Sequence, residues 1–202
     1  RMVMSLAVKE GLLRENPADQ DHIPLPKADR KEKDVLDAEE AREFARCALA
    51  ENDPRTKLMV ILYLYTGMRM GELCGLEWKD VDFAGKTISI QRTSVYVPGK
   101  RLVTKEPESM DSRRVIQADP LVFSVLEEYR NWYLGQQELK SGEWVHSDRL
   151  FIRSDGSPVT PNSTALWLDK FTARWNLRRV TSLTLRSACS ILQTAAGTEG
   201  VE

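Results

Sequence analysis

The chain has 202 residues, 42% of them apolar, with 29 Lys and Arg against 30 Asp and Glu and a formal net charge of −1. That length and apolar share suit one compact domain with part of a second, and the balanced charge argues against a uniformly basic nucleic-acid binder without excluding a basic face. No apolar run reaches the roughly 18 to 20 residues of a membrane span and no leader pattern opens the chain, so the default expectation is a cytoplasmic protein with no membrane partner. Cys47, Cys74 and Cys189 fall among helical apolar positions without paired spacing, which predicts buried thiols and no metal site. His22 and His146 stand alone in loop-like sequence and suggest no ligand or proton-transfer role.

Residues 2–13 have helical spacing (Val3, Leu6, Ala7, Glu10) that stops at Gly11 and the Asn16-Pro17 pair. A single helix cannot build its own core. Residues 18–33 read as an exposed linker. Asp37 and Glu40 make a capping-box pattern for a helix to about Ala50, and Asp53-Pro54 opens the next one. That helix, 55–65, is apolar on nearly every side (Leu58, Met59, Val60, Ile61, Leu62, Leu64) and is expected inside the domain. Thr66-Gly67 breaks it and helical spacing resumes at 71–76, so Arg69 is expected near a fresh helix N-terminus, where free N–H groups favour an anion. An arginine there presents a planar fork that matches two phosphate oxygens. Taken alone, an Arg and a Glu three apart on one helix face more often form an ordinary surface pair.

Residues 86–97 alternate as a half-buried strand does, but Ile88 and Ile90 fall on one face and Val95 and Val97 on the other, which calls for a bulge or break near 92–94. Pro98-Gly99 turns the chain, 101–105 runs back carrying Lys105 at its end, and 113–116 is extended, giving a three-stranded antiparallel unit. Asp119-Pro120 opens a helix to about Leu139, Thr160-Pro161 opens one over 162–175, and a last helix is expected over 184–196. The predicted architecture is mainly α with a small three-stranded antiparallel sheet, an α+β fold. Basic residues cluster at Arg92, Lys100, Arg101, Lys105, Arg113 and Arg114 and again at Arg174, Arg178, Arg179 and Arg186, while acids concentrate over 32–51 and 127–143. Such segregation suits a one-sided DNA interface, with Arg92, Arg101, Arg113 and Arg114 as candidate DNA contacts, and a solvated surface could show it too.

The run Thr66-Gly67-x-Arg69-x-x-Glu72-Leu73, with its exit Leu76-x-Trp78-x-Asp80-Val81-Asp82, resembles the first arginine box of the tyrosine site-specific recombinases of the phage-integrase type. The likeness extends through Val103-Thr104-Lys105, Leu150-Phe151-x4-Gly156-x-Pro158-x-x-Pro161 and Leu183-x-Leu185-Arg186. It implies an integrase-type catalytic domain acting on double-stranded DNA, with self-association on DNA and no cofactor, in integration or excision of a mobile element. In that chemistry a tyrosine attacks a phosphodiester to give a 3′-phosphotyrosyl link and a 5′-hydroxyl, and the covalent intermediate conserves the bond energy. By motif, Arg69 and Arg186 resemble the arginines on the non-bridging oxygens, Lys105 the lysine that protonates the leaving oxygen, and Glu72 the acidic brace. The resemblance divides the chain into 1–20, the end of a core-binding domain, 21–34, a linker, and 35–202, a catalytic domain.

Two departures stand out. The histidine expected three residues before the second arginine is Leu183, and the His-Thr expected after that arginine is Ser187-Ala188. No tyrosine matches the nucleophile, since Tyr63, Tyr65, Tyr96, Tyr129 and Tyr133 fall on a buried helix, a hairpin strand or a core-facing helix. The expectation is therefore a fragment or decayed copy that does not cleave DNA, with two alternatives: a DNA-binding module on the same fold, or a helical protein-interaction module.

Overall fold

The computed structural model describes residues 2–18, 35–97, 99, 101–105, 113–140 and 142–198, with the backbone alone at 101 and 194–198. The chain divides into two compact units, 1–33 and 34–202. In the first, helix α1 (Met2–Lys9) buries none of its residues, and Gly11 ends it at a positive φ of 72°. The Asn16 amide donates to Ser5 Oγ at 2.8 Å, which folds the following turn back on that helix. Residues 19–34, including the linker expected from the sequence, lie outside the described residues.

The second unit is built around α3 (Pro54–Thr66). Every residue from Leu58 to Leu64 is at most 1% exposed, so this helix has no solvent face along that stretch. Such a helix must be enclosed by other elements. Packed on it are α2 (Ala38–Leu49), α5 (Pro120–Leu139), α6 (Pro161–Arg174), α7 (Ser182–Ser187) and α8 (Cys189–Thr198). The helix starts follow the side chains that the sequence supplies. Asp37 accepts from the Glu40 N–H while the Glu40 carboxylate accepts from the Asp37 N–H, and Asp53, Asp119 and Thr160 each cap a helix that has proline in its first turn. The three thiols are free and buried, and burial pushes Cys74 up to about 12, a thiol rather than a thiolate at neutral pH.

The β-structure corrects one expectation. The single three-stranded unit over 86–116 is two separate pieces. A three-stranded antiparallel sheet has the order β1 (Val81–Asp82), β2 (Thr87–Ile90), β5 (Arg114–Gln117), and an independent hairpin is made of β3 (Thr93–Val97) and β4 (Arg101–Lys105). The break falls at Gln91-Arg92, which belong to neither strand: Ile88 and Ile90 are buried on β2, and on β3 the buried residue is Ser94, of the same parity, while Val95 and Val97 are only half-buried on the other face. The last helix is also interrupted, because α7 ends at Ser187 and α8 begins at Cys189.

Candidate functional site

Arg69 occupies the N-cap of α4 (Met70–Gly75) in an extended conformation. A guanidinium has no acceptor and cannot take up the first-turn N–H groups as an N-cap side chain does, so only the reciprocal half of a capping box, an acceptor for the Arg69 N–H, is open here. Glu72 provides it. Its Oε2 accepts the Arg69 N–H at 2.7 Å, and its Oε1 accepts from Arg69 Nη1 at 2.9 Å. Arg114, on β5, closes the other side with Nη1 on Oε1 at 3.0 Å and Nη2 on Oε2 at 2.8 Å. Burial alone would raise this carboxyl, which is 5% exposed, but the Arg114 fork and the two Arg69 donors outweigh it and hold it at about 2. Glu72 is thus a fixed anion between two arginines. The Arg69 side chain stays 57% exposed, with donors left over for a ligand. Since α4 is six residues long, we assign the anion preference to the guanidinium rather than to a helix end.

Two glycines bracket Arg69 and admit the other elements. Gly67 ends α3 in the left-handed region, and a Cβ there would lie 3.4 Å from Cys189 Cβ and 3.8 Å from the Arg186 carbonyl oxygen. The α7–α8 junction therefore rests on the chain two residues before Arg69. Gly71, two residues after it, faces the hairpin: a Cβ would run into Thr93 Oγ1 and stand 3.0 Å from the Ser94 carbonyl oxygen. Thr93 is the register partner of Lys105. Directly opposed residues keep their Cβ atoms about 4.5–5.5 Å apart, so Lys105 stands at the root of the hairpin beside the first turn of α4, and not at its tip. Lys105 is exposed, with no ion-pair partner among the described residues.

The second arginine is held differently. Leu185 is fully buried and Cys189 nearly so, which leaves Ser190 exposed and Arg186 half-buried at the edge of the helical stripe. The Arg186 side chain makes no hydrogen bond or ion pair to a described residue. Leu183, in place of the expected histidine, is 69% exposed and has nothing to donate.

The expected DNA-contacting arginines separate. Arg92 turns inward onto Asp80 and Glu77, at 3.3 Å from the latter, and donates to the Gly75 carbonyl at 3.4 Å. Arg114 is committed to Glu72. Arg113 is exposed, and the Arg101 side chain lies outside the described residues. Of the second basic cluster, Arg174 pairs with buried Glu51, Arg178 with Glu40 at 2.6 Å and Arg179 with Asp169 at 3.0 Å. Sequence clustering thus overstated the basic face, because pairing partners arrive from distant segments. Arg149 was missed altogether. It stands in a loop with no periodicity to mark it, yet its guanidinium reaches both the Gly75 carbonyl and Thr104.

Four of the five tyrosines are buried or half-buried. Tyr63 and Tyr129 are buried, Tyr129 with its hydroxyl donating to the Leu150 carbonyl at 2.8 Å, and Tyr133 donates to the Ser147 carbonyl at 3.3 Å. Burial pushes all three phenols up, and Tyr65 likewise. Tyr96 is half exposed but opposes Leu102, on the hairpin face opposite to Thr93 and Lys105. No group of His, Cys, Asp and Glu able to hold a metal ion occurs among the described residues, and none of their helices is long and apolar enough to cross a membrane.

A buried central helix, an acid-braced arginine at its exit and a second arginine on a late helix are the arrangement that the resemblance to the tyrosine recombinases implies. The Phage integrase family profile matches residues 34–197, and the chain belongs to that family. It is 30% identical over 151 residues to a XerC-like tyrosine recombinase of Caldanaerobacter subterraneus, an alignment that covers 70% of this chain and 38% of that protein. It is 28% identical over 138 residues to the ICEBs1 integrase of Bacillus subtilis, covering 68% and 35%. The chain thus spans well under half the length of these relatives. Among solved structures, the Tn1549 transposon integrase in complex with a circular intermediate DNA superposes with a TM-score of 0.76 at 19% identity, over 96% of this chain and 63% of that one. XerH bound to its difH substrate gives 0.60 at 20% identity, over 97% and 54%. At these identities the structures speak to the fold.

Proposed function

We propose that residues 34–202 form the phosphate-binding part of a site-specific DNA recombinase of the mobile-element kind, with Arg69 and Arg186 on the non-bridging oxygens of one phosphodiester. Lys105 is the proton donor to the leaving oxygen, and Glu72 orients Arg69 without touching the DNA. The observation that carries this reading is the bracketing of Arg69 by Gly67 and Gly71, which draws the α7–α8 junction and the root of the hairpin onto either side of it. A phosphate clamp needs donors from separate elements within reach of one group. Arg101 and Arg113 remain candidates for flanking backbone phosphates. Arg92 and Arg114 leave the DNA-contacting set, because their guanidinia are committed to carboxylates.

Cleavage needs an oxygen in line with the leaving group. With four tyrosines buried or half-buried and Tyr96 on the far hairpin face, these 202 residues bind a phosphodiester but do not attack it. In this reading the relatives' activity belongs to a larger assembly in which copies associate on DNA. The test is a titration of labelled duplex at several salt concentrations. Binding should weaken with salt, R69A and R186A should each lower the slope of log K against log salt by about one, and E138Q should leave it unchanged. A nicked suicide duplex should trap no covalent product. Salt-independent binding would favour the protein-interaction alternative, and a covalent band abolished by Y96F would show the nucleophile to be Tyr96.

A further inference from the structure

Lys105 stands on a hairpin that shares no strand with the sheet. Something else must therefore fix it relative to Arg69. The chain leaving α4 supplies a post. The Leu150 N–H donates to the Leu76 carbonyl at 2.8 Å and the Trp78 N–H to the Asp148 carbonyl at 3.2 Å, so residue 149 is anchored by its neighbours to the segment that follows α4. From there the Arg149 guanidinium donates through Nη1 to the Gly75 carbonyl at 2.6 Å, with Glu77 Oε1 at 3.8 Å, and through Nη2 to Thr104 Oγ1. Thr104 is the residue before Lys105 and opposes Ser94, whereas Lys105 opposes Thr93. One face of β4 is thus gripped and the other carries the lysine.

We propose that Arg149 is the positioning residue for Lys105, fixing strand β4 against the end of the helix that Arg69 begins. A planar fork can hold the carbonyl and the hydroxyl at once, which a single ammonium cannot do in the same geometry. Arg92 plays the matching part for β3. It immediately precedes that strand and donates to the same Gly75 carbonyl. Both strands are thereby referenced to one atom at the C-terminal end of α4. This inference rests on the phosphate-binding role proposed for Lys105.

The experiment uses the full 202-residue chain and the variants R149Q, R149K and T104V. T104V removes only the acceptor, at an exposed strand position that favours β-branched residues, so it carries little risk of misfolding. Amide exchange at 103–105 should quicken about tenfold or more in R149Q and T104V, while 58–64 is unchanged, with R149K between. In duplex titrations, K105A should lower the salt slope by about one in the wild-type background and by clearly less in R149Q and T104V. Unchanged exchange in both variants overturns the proposal. So does an equal K105A effect in every background, which leaves the role of Lys105 itself intact. A K105A that is silent even in the wild-type chain sinks that role first, and this inference with it.

Discussion

Arg69 and Arg186 stand on segments that meet at Gly67, yet the chain prepares the two side chains differently. Arg69 leans on a buried carboxylate whose oxygens are saturated by four hydrogen bonds, so it is ordered before any ligand arrives. Arg186 leaves α7 with no described partner, beside an exposed leucine. The first side chain is preorganised, whereas the second must lose rotamer freedom when phosphate binds, at roughly 0.5–1.5 kcal/mol for a long side chain. One half of the clamp is therefore part of the folded core, and the other half is tuned by its surface neighbours.

The sharpest way to break this contrast is to remove the brace. E72A leaves two guanidinia facing a buried space without their anion, and breaking such a pair costs about 3–5 kcal/mol. R186A, which takes away a half-buried side chain with no described hydrogen-bond or ion-pair partner, should change stability by no more than about 1 kcal/mol. Urea midpoints measure both, and similar losses would erase the distinction. Acid provides a second test. The folded Glu72 carboxyl sits at about 2, against an ordinary 4.5, so its stabilisation is complete above the ordinary value and is lost as pH falls towards 2. The depression corresponds to an upper bound on the order of 3 kcal/mol. The gap in urea midpoint between wild type and E72Q should therefore close between about pH 5 and pH 2, and a constant gap would mean that the carboxyl is not depressed.

Smaller effects separate the two brackets. G71A forces a methyl group into Thr93 and the Ser94 carbonyl and should cost about 1–3 kcal/mol, together with faster amide exchange in the hairpin. G67A meets only ordinary contacts but keeps a residue at φ 60°, which costs about 1–2 kcal/mol and should leave the hairpin untouched. The least change is expected from L183H. At an exposed position it should alter stability by under about 0.5 kcal/mol, and it should tighten duplex binding modestly below about pH 6.5, where imidazole is charged. Tightening that persisted to pH 8 would point to a neutral donor instead.

Much of the fold was legible because the local signals agreed with each other. Asp37 with Glu40, Asp53-Pro54, Asp119-Pro120 and Thr160-Pro161 each begin a helix as read, and the all-apolar run from Leu58 to Leu64 is the centre of the core. The parity change between Ile90 and Val95 announced a break but did not say that the strands on either side would join different sheets, because pairing is decided by distant segments. At the site, Arg69 and Glu72 were readable from spacing within one helical turn. The commitment of Arg114 to Glu72, of Arg92 to Asp80 and of Arg149 to Thr104 was not, since each spans at least 12 residues and leaves no periodic mark. Charge counts along a chain record where arginines are and say nothing of which carboxylate each will meet.

The strand break at Gln91-Arg92 also sets a timescale. Because β3 and β4, among the described residues, pair only with each other, the hairpin can swing about its root without opening any rung of the β1-β2-β5 sheet. What resists the swing is the packing of β3 on α4, where Ser94 is fully buried, together with the Arg149 and Arg92 bonds at the root. Motion of that kind belongs with loop and hinge relaxations of nanoseconds to milliseconds rather than with the slower opening of packed structure. Relaxation-dispersion signals that are strongest at 96–103 and fade towards Thr93 and Lys105, on a background of quiet helices, would be the signature of a hairpin that moves at its tip while its lysine stays beside α4.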